Sequence, residues 1–318
     1  MKLMRQKKFR SSAAVRLVLI GRGYVARRLV DRSSEGLPAR AGLPVDIEAV
    51  TATHRPGGSP RACGDIPFAE SDALSALLAD ATHLLLSAPP GPEGDPLLAM
   101  LGVDGLRRLQ NLRWIGYLSS TGVYGDHDGA WIDEDSPRRA TAAVSIRRLG
   151  SEDSWLAARD SGLPVTIFRL SGIYGPGRSA LDALRRGAAR RIDKPGHVFC
   201  RCHVDDICAV LERSMAGHGQ HAVYNVADDL PAPQHQVVSH AAKLLGIKPP
   251  PMTPLAEADL SPAGRRFYEA CRRVDNDRIK SDLGASLLYP TYRDGLDAIL
   301  EEEKTTGSFD DESDGRAA

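Results

Sequence analysis

Short runs of apolar residues recur along the first half of the chain, and segments with the spacing of an amphipathic helix separate them. The runs fall at residues 15–20, 45–50, 83–87, 114–119 and 165–169. Residues 72–79 and 96–110 carry apolar side chains at helical intervals. Because strands that alternate with helices form parallel sheets, the pattern predicts an α/β fold with a Rossmann-type doubly wound parallel sheet.

The sequence pattern of the second half of the chain predicts a smaller α/β lobe above the carboxyl ends of the strands. From about Tyr174 a Gly/Pro loop, an arginine-rich helix and further helical segments replace the regular alternation. We therefore expect a sheet domain over residues 13–173, with segments returning to it near 197–227, and a substrate lobe over residues 174–303. Residues 1–12 and the acidic residues 304–318 are expected to be disordered.

The first apolar run ends in a turn of small residues, Gly-x-Gly-x-x-Ala, before a helical pattern begins. The residues of the turn are Gly21, Arg22, Gly23, Tyr24, Val25 and Ala26. In such a turn the first glycine permits the tight bend, and the second has no side chain to block an approaching pyrophosphate. The alanine lets the helix pack closely, and the free N–H groups at its start face the phosphates. The turn predicts a dinucleotide site rather than a purely structural bend.

The end of the second strand favours NADP over NAD as the dinucleotide. An acidic residue at this point accepts hydrogen bonds from the ribose of NAD, whereas a basic one accommodates the extra phosphate of NADP. The chain has Thr53, His54 and Arg55 there, and Glu48 lies in the middle of the strand. The alternative is an ordinary polar strand end with no part in cofactor choice.

Net charge, the length of the apolar runs and the number of cysteines limit the kinds of partner and the cellular compartment that we expect. The chain has 318 residues, and its 41 basic and 41 acidic side chains give a formal net charge of zero, so nothing favours nucleic acid or an anionic membrane as a partner. No apolar run approaches the roughly 18 residues of a membrane span. The first such run is interrupted by Arg16 and does not resemble a signal peptide. Five cysteines in this length do not indicate a disulfide framework, so we expect a cytoplasmic protein.

Three later segments together resemble the extended short-chain dehydrogenase/reductase superfamily, whose members include nucleotide-sugar epimerases, dehydratases and 4-reductases. They are residues 118–125 (Leu-Ser-Ser-Thr-Gly-Val-Tyr-Gly), residues 168–177 and residues 203–207. Their order and approximate spacing are those of the family, and the resemblance covers about residues 14–300. It implies an NADP-binding Rossmann domain and a small polar substrate, anionic or nucleotide-linked, beneath the second lobe. The resemblance is compatible with a homodimer but does not determine the oligomeric state.

The resemblance also implies roles for individual residues. Ser120, three residues before Val-Tyr-Gly, stands where the family polarises the carbonyl or alcohol of its substrate. Further cofactor contacts are implied for Ser87, Ala88, Pro89, Ser171 and Ile173. Serines that follow strands also cap the next element, which is the structural alternative for Ser120 and Ser171.

The chain departs from the family at its Tyr-x-x-x-Lys pair, in which the lysine and the oxidised nicotinamide lower the tyrosine pKa for proton transfer. Counting back from Glu152 places Val144 and Arg148 at the two positions. No lysine occurs between Phe9 and Asp193, so no such pair exists in the sheet domain. The chain therefore resembles an atypical branch of the family, in which Asp95 is a candidate for the position of the usual active-site asparagine.

Two classes of function follow. In an enzyme that transfers a hydride, the catalytic candidates are Ser120, Tyr124, Arg148 and Asp95, and the missing proton comes from Tyr124, Tyr174, the substrate or water. The alternative is a non-catalytic NADP(H)-binding redox sensor or regulator, and an NADP-bound scaffold is a weaker third hypothesis.

Two clusters in the second half have residue types that also occur in binding sites. The cluster of Cys200, Cys202, His203 and Cys208 lacks a second ligand pair, so we predict no metal site. The arginines of residues 178–191, together with Arg201, either bind an anionic substrate or form a solvated surface.

Overall fold

A computed structural model describes residues 15–34, 47–54, 66–69 and 71–306. The predicted disordered segment 1–12, most of the predicted tail and Arg55 lie outside these ranges. Residues 304–306, which the sequence assigned to the tail, belong to the last described helix.

The described strands are β1 (Val15–Ile20), β2 (Ile47–His54), β3 (Ile66–Pro67), β4 (His83–Leu86), β5 (Trp114–Ser120), β6 (Trp131–Ile132), β7 (Val165–Leu170), β8 (Gly172–Tyr174), β9 (Arg191–Asp193), β10 (Arg201–His203), β11 (Val223–Val226), β12 (Met252–Pro254) and β13 (Arg273–Val274). The described helices are α1 (Tyr24–Ser34), α2 (Asp72–Asp80), α3 (Pro96–Arg107), α4 (Ala143–Asp160), α5 (Ala180–Arg185), α6 (Val204–Met215), α7 (Gln234–Leu244), α8 (Pro262–Arg266), α9 (Asp277–Ser281) and α10 (Tyr292–Thr306), with a short 3₁₀ helix at Thr121–Tyr124.

The central sheet has the order β3-β2-β1-β4-β5-β7-β11, and each neighbouring pair within the described ranges is parallel. The strand order reverses between β1 and β4, which leaves a crevice at their carboxyl ends where Rossmann folds bind ligands. The predicted doubly wound α/β fold is confirmed.

Helices cover both faces of the sheet, which explains why its strands are almost continuously apolar. On one face, Leu17 and Leu19 of β1 pack in a cluster with residues of α1 and α6. On the other face, Val18 and Ile20 join a cluster with residues of α2, α3 and α4. The alternation of side chains along β1 therefore divides the core into two layers.

The second lobe stands at the carboxyl edge of the sheet. Strand β8 pairs with β10 and β9 pairs with β12, and an apolar cluster joins α5, α7 and α10. The chain between these elements returns to the sheet domain, where α6 packs beside α1 and β11 forms the edge strand. Arg28 of α1 binds Asp205 of α6 with Nε 2.7 Å from Oδ1, which fastens the returning segment.

Candidate functional site

The glycine turn at the end of β1 is packed against the end of β4. Gly21 has a φ of 89°, in the region that favours glycine, and a Cβ there would stand 3.1 Å from Ala88 N. Ser87 N and Ala88 N both donate to Ile20 O at 2.9 Å. A Cβ on Gly23 would stand 2.9 Å from Ser87 Oγ. The fold itself therefore requires glycine at position 21, whereas at position 23 only the Ser87 hydroxyl would have to move.

The same turn fits the phosphates of a dinucleotide. Helix α1 begins at Tyr24, so the N–H groups of its first turn lack carbonyl partners within the helix. The first turn of α1 contains no acidic residue. The partial positive charge at this helix end is thus uncompensated and suited to a pyrophosphate.

Thr53 has a structural position that the sequence did not predict. It is 1 % exposed, and its Oγ1 accepts a hydrogen bond from Gly21 N at 3.1 Å. The hydroxyl therefore holds the glycine turn. His54, the next residue, is half-buried at the strand end, and Arg55 is outside the described residues.

A cavity of about 890 Å³ lies between the carboxyl ends of the strands and the second lobe. The side chains at its floor that bear on chemistry are Ser120, Ser145, Ser171 and Tyr174. Ser120 ends β5, opposite Leu170 of β7, so that Ser171 follows at the end of the adjacent strand. Parallel strands therefore bring the predicted residues Ser120, Ser171 and Ile173 to one cavity.

The Ser120 hydroxyl oxygen is held in place by one hydrogen bond that it accepts. Its Oγ accepts a hydrogen bond from Gly122 N at 3.1 Å, which begins the 3₁₀ helix at Thr121. Since a hydroxyl that accepts one bond keeps its proton to donate, Ser120 can act as a donor to an oxygen atom in the cavity.

Ser145 was not singled out in the sequence. The point where a Cβ of Gly122 would stand is 2.9 Å from Ser145 Oγ and 3.3 Å from Ser120 Oγ. Within the described part of the chain, the Ser145 hydroxyl makes no hydrogen bond. Ser145 directly follows Val144, which is 56 % exposed and lines the same cavity. Two hydroxyls thus face one small volume beside Gly122.

The two tyrosines considered as proton donors are held by other groups. Tyr124 is wholly buried, and its hydroxyl donates to Asn225 Oδ1 at 2.7 Å and accepts from Arg169 Nη1 at 2.8 Å. Burial raises the pKa of Tyr124 to about 12. The Tyr174 hydroxyl donates to Thr291 O at 3.4 Å, and burial raises its pKa as well. Tyr124 is not among the residues that line the cavity, whereas the Tyr174 ring is.

Arg148 and Asp95 also lie away from the cavity lining. Arg148 donates from Nη1 to Leu118 O at 2.6 Å, which ties α4 to the strand that carries Ser120. Asp95 is 4 % exposed and caps α3, where its Oδ1 accepts from Leu97 N at 2.9 Å and from Leu98 N at 3.2 Å. Both contacts support the backbone around the site.

A buried polar network below the cavity was missed in the sequence. The Glu152 carboxylate accepts hydrogen bonds from Ser119 Oγ at 2.5 Å and from Arg169 Nη2 at 2.8 Å. Arg169 is the charged residue inside the apolar run of β7, and this was the one available signal. The network fixes the residue that precedes Ser120.

Most arginines of the second lobe are engaged by protein acceptors. Arg201 donates to Phe199 O at 2.9 Å and to Gln234 Oε1 at 2.8 Å, and Arg185 pairs with Glu303 at 2.8 Å. Arg191 donates to Pro250 O at 3.0 Å. Arg178 lines the cavity, and its side chain makes no hydrogen bond or ion pair within the described ranges.

The cysteine cluster has the surroundings of core residues. Cys202 and Cys208 are wholly buried, and burial raises the pKa of both thiols. Among the described residues, no three His, Cys, Asp or Glu side chains are grouped so that they could hold a metal ion. None of the described helices is both long and apolar enough to cross a membrane.

Comparison with solved structures finds relatives over nearly the whole chain, although no protein-family model matches it. A functionally unknown conserved protein from Silicibacter pomeroyi is 44 % identical, with a TM-score of 0.77 over 91 % of this chain and 99 % of that one. A putative NAD-dependent epimerase/dehydratase from Methylobacillus flagellatus is 25 % identical, with a TM-score of 0.61 over 91 % of this chain and 99 % of that one.

Among curated proteins, Protein YeeZ of Escherichia coli is 28 % identical over 228 residues, which are 70 % of this chain and 76 % of YeeZ. A 3-diazoavenalumate denitrifying reductase from Streptomyces is 30 % identical over 178 residues, which are 52 % of this chain and 58 % of that protein. Together with the strand order, these likenesses show the Rossmann-type fold of NAD-dependent epimerases/dehydratases, and the chain is similar to the extended short-chain dehydrogenases/reductases.

Proposed function

We propose that the protein is an NADP(H)-dependent oxidoreductase or epimerase-like enzyme that acts on a small polar or nucleotide-linked substrate. The observation that carries the proposal is the position of Ser120. Its hydroxyl lies at the carboxyl end of β5, inside a cavity of about 890 Å³ that the second lobe covers. The glycine turn ends β1 at the same edge of the sheet.

In this proposal the turn at Gly21 and Gly23 and the start of α1 bind the pyrophosphate of the dinucleotide. The bound nicotinamide supplies the hydride acceptor or donor. Ser120 donates a hydrogen bond to the oxygen of the reacting carbon, and Ser145 provides a second hydroxyl beside it. The proton that this oxygen gains or loses is exchanged with water or with the substrate. Neutral hydroxyls stabilise developing negative charge on that oxygen without being deprotonated themselves.

The preference for NADP rests on the sequence around the end of β2. We assign the additional phosphate to His54 and Arg55, because the Thr53 side chain is buried. We expect Arg55→Ala to weaken NADPH binding by about 1–3 kcal/mol, the contribution of a hydrogen bond to a charged group, and to leave NADH binding unchanged. Equal affinities of the wild type for the two dinucleotides would remove this part of the proposal.

The test of the enzymatic proposal is NADPH oxidation measured with a panel of aldehydes, ketones and nucleotide sugars. Ser120→Ala is expected to reduce turnover by about 10- to 1000-fold, since it removes an electrostatic donor. The affinity for NADPH should stay the same, because Ser120 is not in the glycine turn. Turnover that persists at the wild-type rate in Ser120→Ala would contradict the catalytic assignment.

A second candidate is a non-catalytic NADP(H)-binding redox sensor, and the specific observation that favours it is Val144. This side chain lines the cavity and cannot transfer a proton. Counting back from Glu152 in the sequence assigns it to the family's tyrosine position. A sensor should bind NADPH tightly, show no turnover with the whole panel, and change the protease sensitivity of its second lobe on binding. Turnover that depends on Ser120 would exclude it.

A further inference from the structure

Tyr24 connects the glycine turn to the second lobe. It is the first residue of α1, and its hydroxyl donates to Pro176 O at 2.8 Å. Gly175 makes this approach possible, because a Cβ there would stand 2.6 Å from the Tyr24 hydroxyl oxygen. Burial raises the pKa of Tyr24, so the phenol stays protonated and keeps its role as donor.

The segment that receives Tyr24 is a closed turn that ends in an arginine. Gly175 N donates to Arg178 O at 3.2 Å, and Arg178 N donates to Gly175 O at 3.0 Å. Gly177 has a φ of 71°, which suits the third position of a Pro-Gly turn. The backbone of Arg178 is therefore fixed relative to Tyr24.

The Arg178 side chain lies over the Tyr24 ring, with its guanidinium carbon 5.5 Å from the ring centroid. A cation at this distance is attracted by the ring electrons. Within the described ranges the Arg178 guanidinium has no carboxylate partner and no hydrogen-bond acceptor, in contrast to the guanidinium groups of Arg185, Arg191 and Arg201. It is thus a positioned cation without a counter-ion, next to a helix end that also favours anions.

The geometry points to Arg178 as a diphosphate ligand that the second lobe contributes to the dinucleotide site. The contact with the Tyr24 ring would position the guanidinium beside the pyrophosphate bound at the start of α1. A planar guanidinium can bind two phosphate oxygens at once, in addition to the backbone N–H groups of the helix end. Dinucleotide binding would then join the two lobes through Tyr24 and Arg178. This inference rests on the proposed dinucleotide site.

The experiment compares binding of NADPH, ADP-ribose, AMP and UDP by wild type, Arg178→Ala and Arg178→Lys. ADP-ribose keeps the pyrophosphate without the nicotinamide, AMP lacks the pyrophosphate, and UDP is a diphosphate without adenine. Arg178→Ala should bind NADPH and ADP-ribose about 10- to 100-fold more weakly, as expected for a lost charged hydrogen bond, with AMP unchanged. Arg178→Lys should recover part of the loss, because it keeps the charge and loses the planar fork.

Two controls separate this role from a structural one. Arg186→Ala removes an exposed arginine that follows α5 in the same lobe, and should bind all four ligands as the wild type does. Tyr24→Phe keeps the ring under Arg178 and removes the bond to Pro176, so it should weaken NADPH binding by only about 2- to 10-fold. Thermal unfolding of each variant shows whether it is folded.

The outcomes distinguish the two proposals. If the wild type binds neither NADPH nor ADP-ribose, the proposed dinucleotide site fails, and this inference fails with it. If the wild type binds both and Arg178→Ala binds them equally well, only the role of Arg178 is overturned. A loss confined to UDP would also overturn it, and would assign Arg178 to the substrate.

Discussion

Arg169 and Glu152 form an ion pair in the interior of the sheet domain, with Arg169 Nη2 2.8 Å from Glu152 Oε2 and neither side chain more than 2 % exposed. Glu152 also accepts the Ser119 hydroxyl, and Arg169 donates to the hydroxyl of Tyr124. Because Ser119 precedes Ser120, this pair fixes the strand end that carries the proposed catalytic hydroxyl.

Breaking the pair from one side should be strongly destabilising. Arg169→Met leaves the Glu152 carboxylate buried, and its remaining ion-pair partner among the described residues is Arg138, at 3.3 Å. We expect the free energy of unfolding in urea to fall by about 3–5 kcal/mol. The double variant Arg169→Met/Glu152→Gln should recover part of the loss, because it buries no uncompensated charge. A loss below about 1 kcal/mol in the single variant would show that the pair does not hold this region.

Asp228 should make stability depend on pH. It is 2 % exposed, one of its carboxylate oxygens has no partner in the described structure, and burial raises its pKa to about 8. Since the folded state retains this proton above the pKa of the unfolded chain, near 4, the stabilising effect is complete below pH 4 and is lost as the pH rises through 8. Asp228→Asn should therefore gain stability relative to the wild type between pH 5 and pH 8. A difference between the two proteins that does not change with pH would contradict the assignment.

Ser145 should contribute to turnover without contributing to cofactor binding. Its hydroxyl and that of Ser120 face one volume beside Gly122. Ser145→Ala is expected to lower kcat by about 10-fold or more with the best substrate of the panel, at unchanged NADPH affinity. Ser154→Ala is the matched control on the same helix, since its hydroxyl donates to Gly150 O outside the cavity. Equal kcat values for Ser145→Ala and Ser154→Ala would exclude Ser145 from the reaction.

The sheet, the glycine turn and the position of Ser120 could be predicted from the sequence, because each depends on a local sequence pattern. The doubly wound sheet follows from the alternation of apolar runs and helices. The glycine turn and the position of Ser120 could be predicted because each is marked by a short run of consecutive residues at the end of a strand. The buried network could not be predicted in this way, because it joins residues far apart in the chain, such as Tyr124 and Asn225, 101 positions away.

Polar residues at the right place in the sequence can also serve the fold instead of the site. Thr53 was predicted as a cofactor residue from its position at the end of β2, yet its hydroxyl holds Gly21. Asp95 was considered for the active site, yet it caps α3. Their residue types fit both roles equally well, and only the three-dimensional neighbours distinguish them.

The central claim is that the glycine turn is a dinucleotide site, and fluorescence titration of NADPH and NADH tests it most directly. Wild type should bind NADPH more tightly than NADH, and Gly23→Val should bind neither while remaining folded, because its side chain enters the space between the turn and Ser87. Gly91→Ala, where a Cβ meets nothing within 4 Å, serves as the control and should bind as the wild type does. A folded Gly23→Val variant that keeps its affinity for NADPH would place the dinucleotide elsewhere and contradict the account.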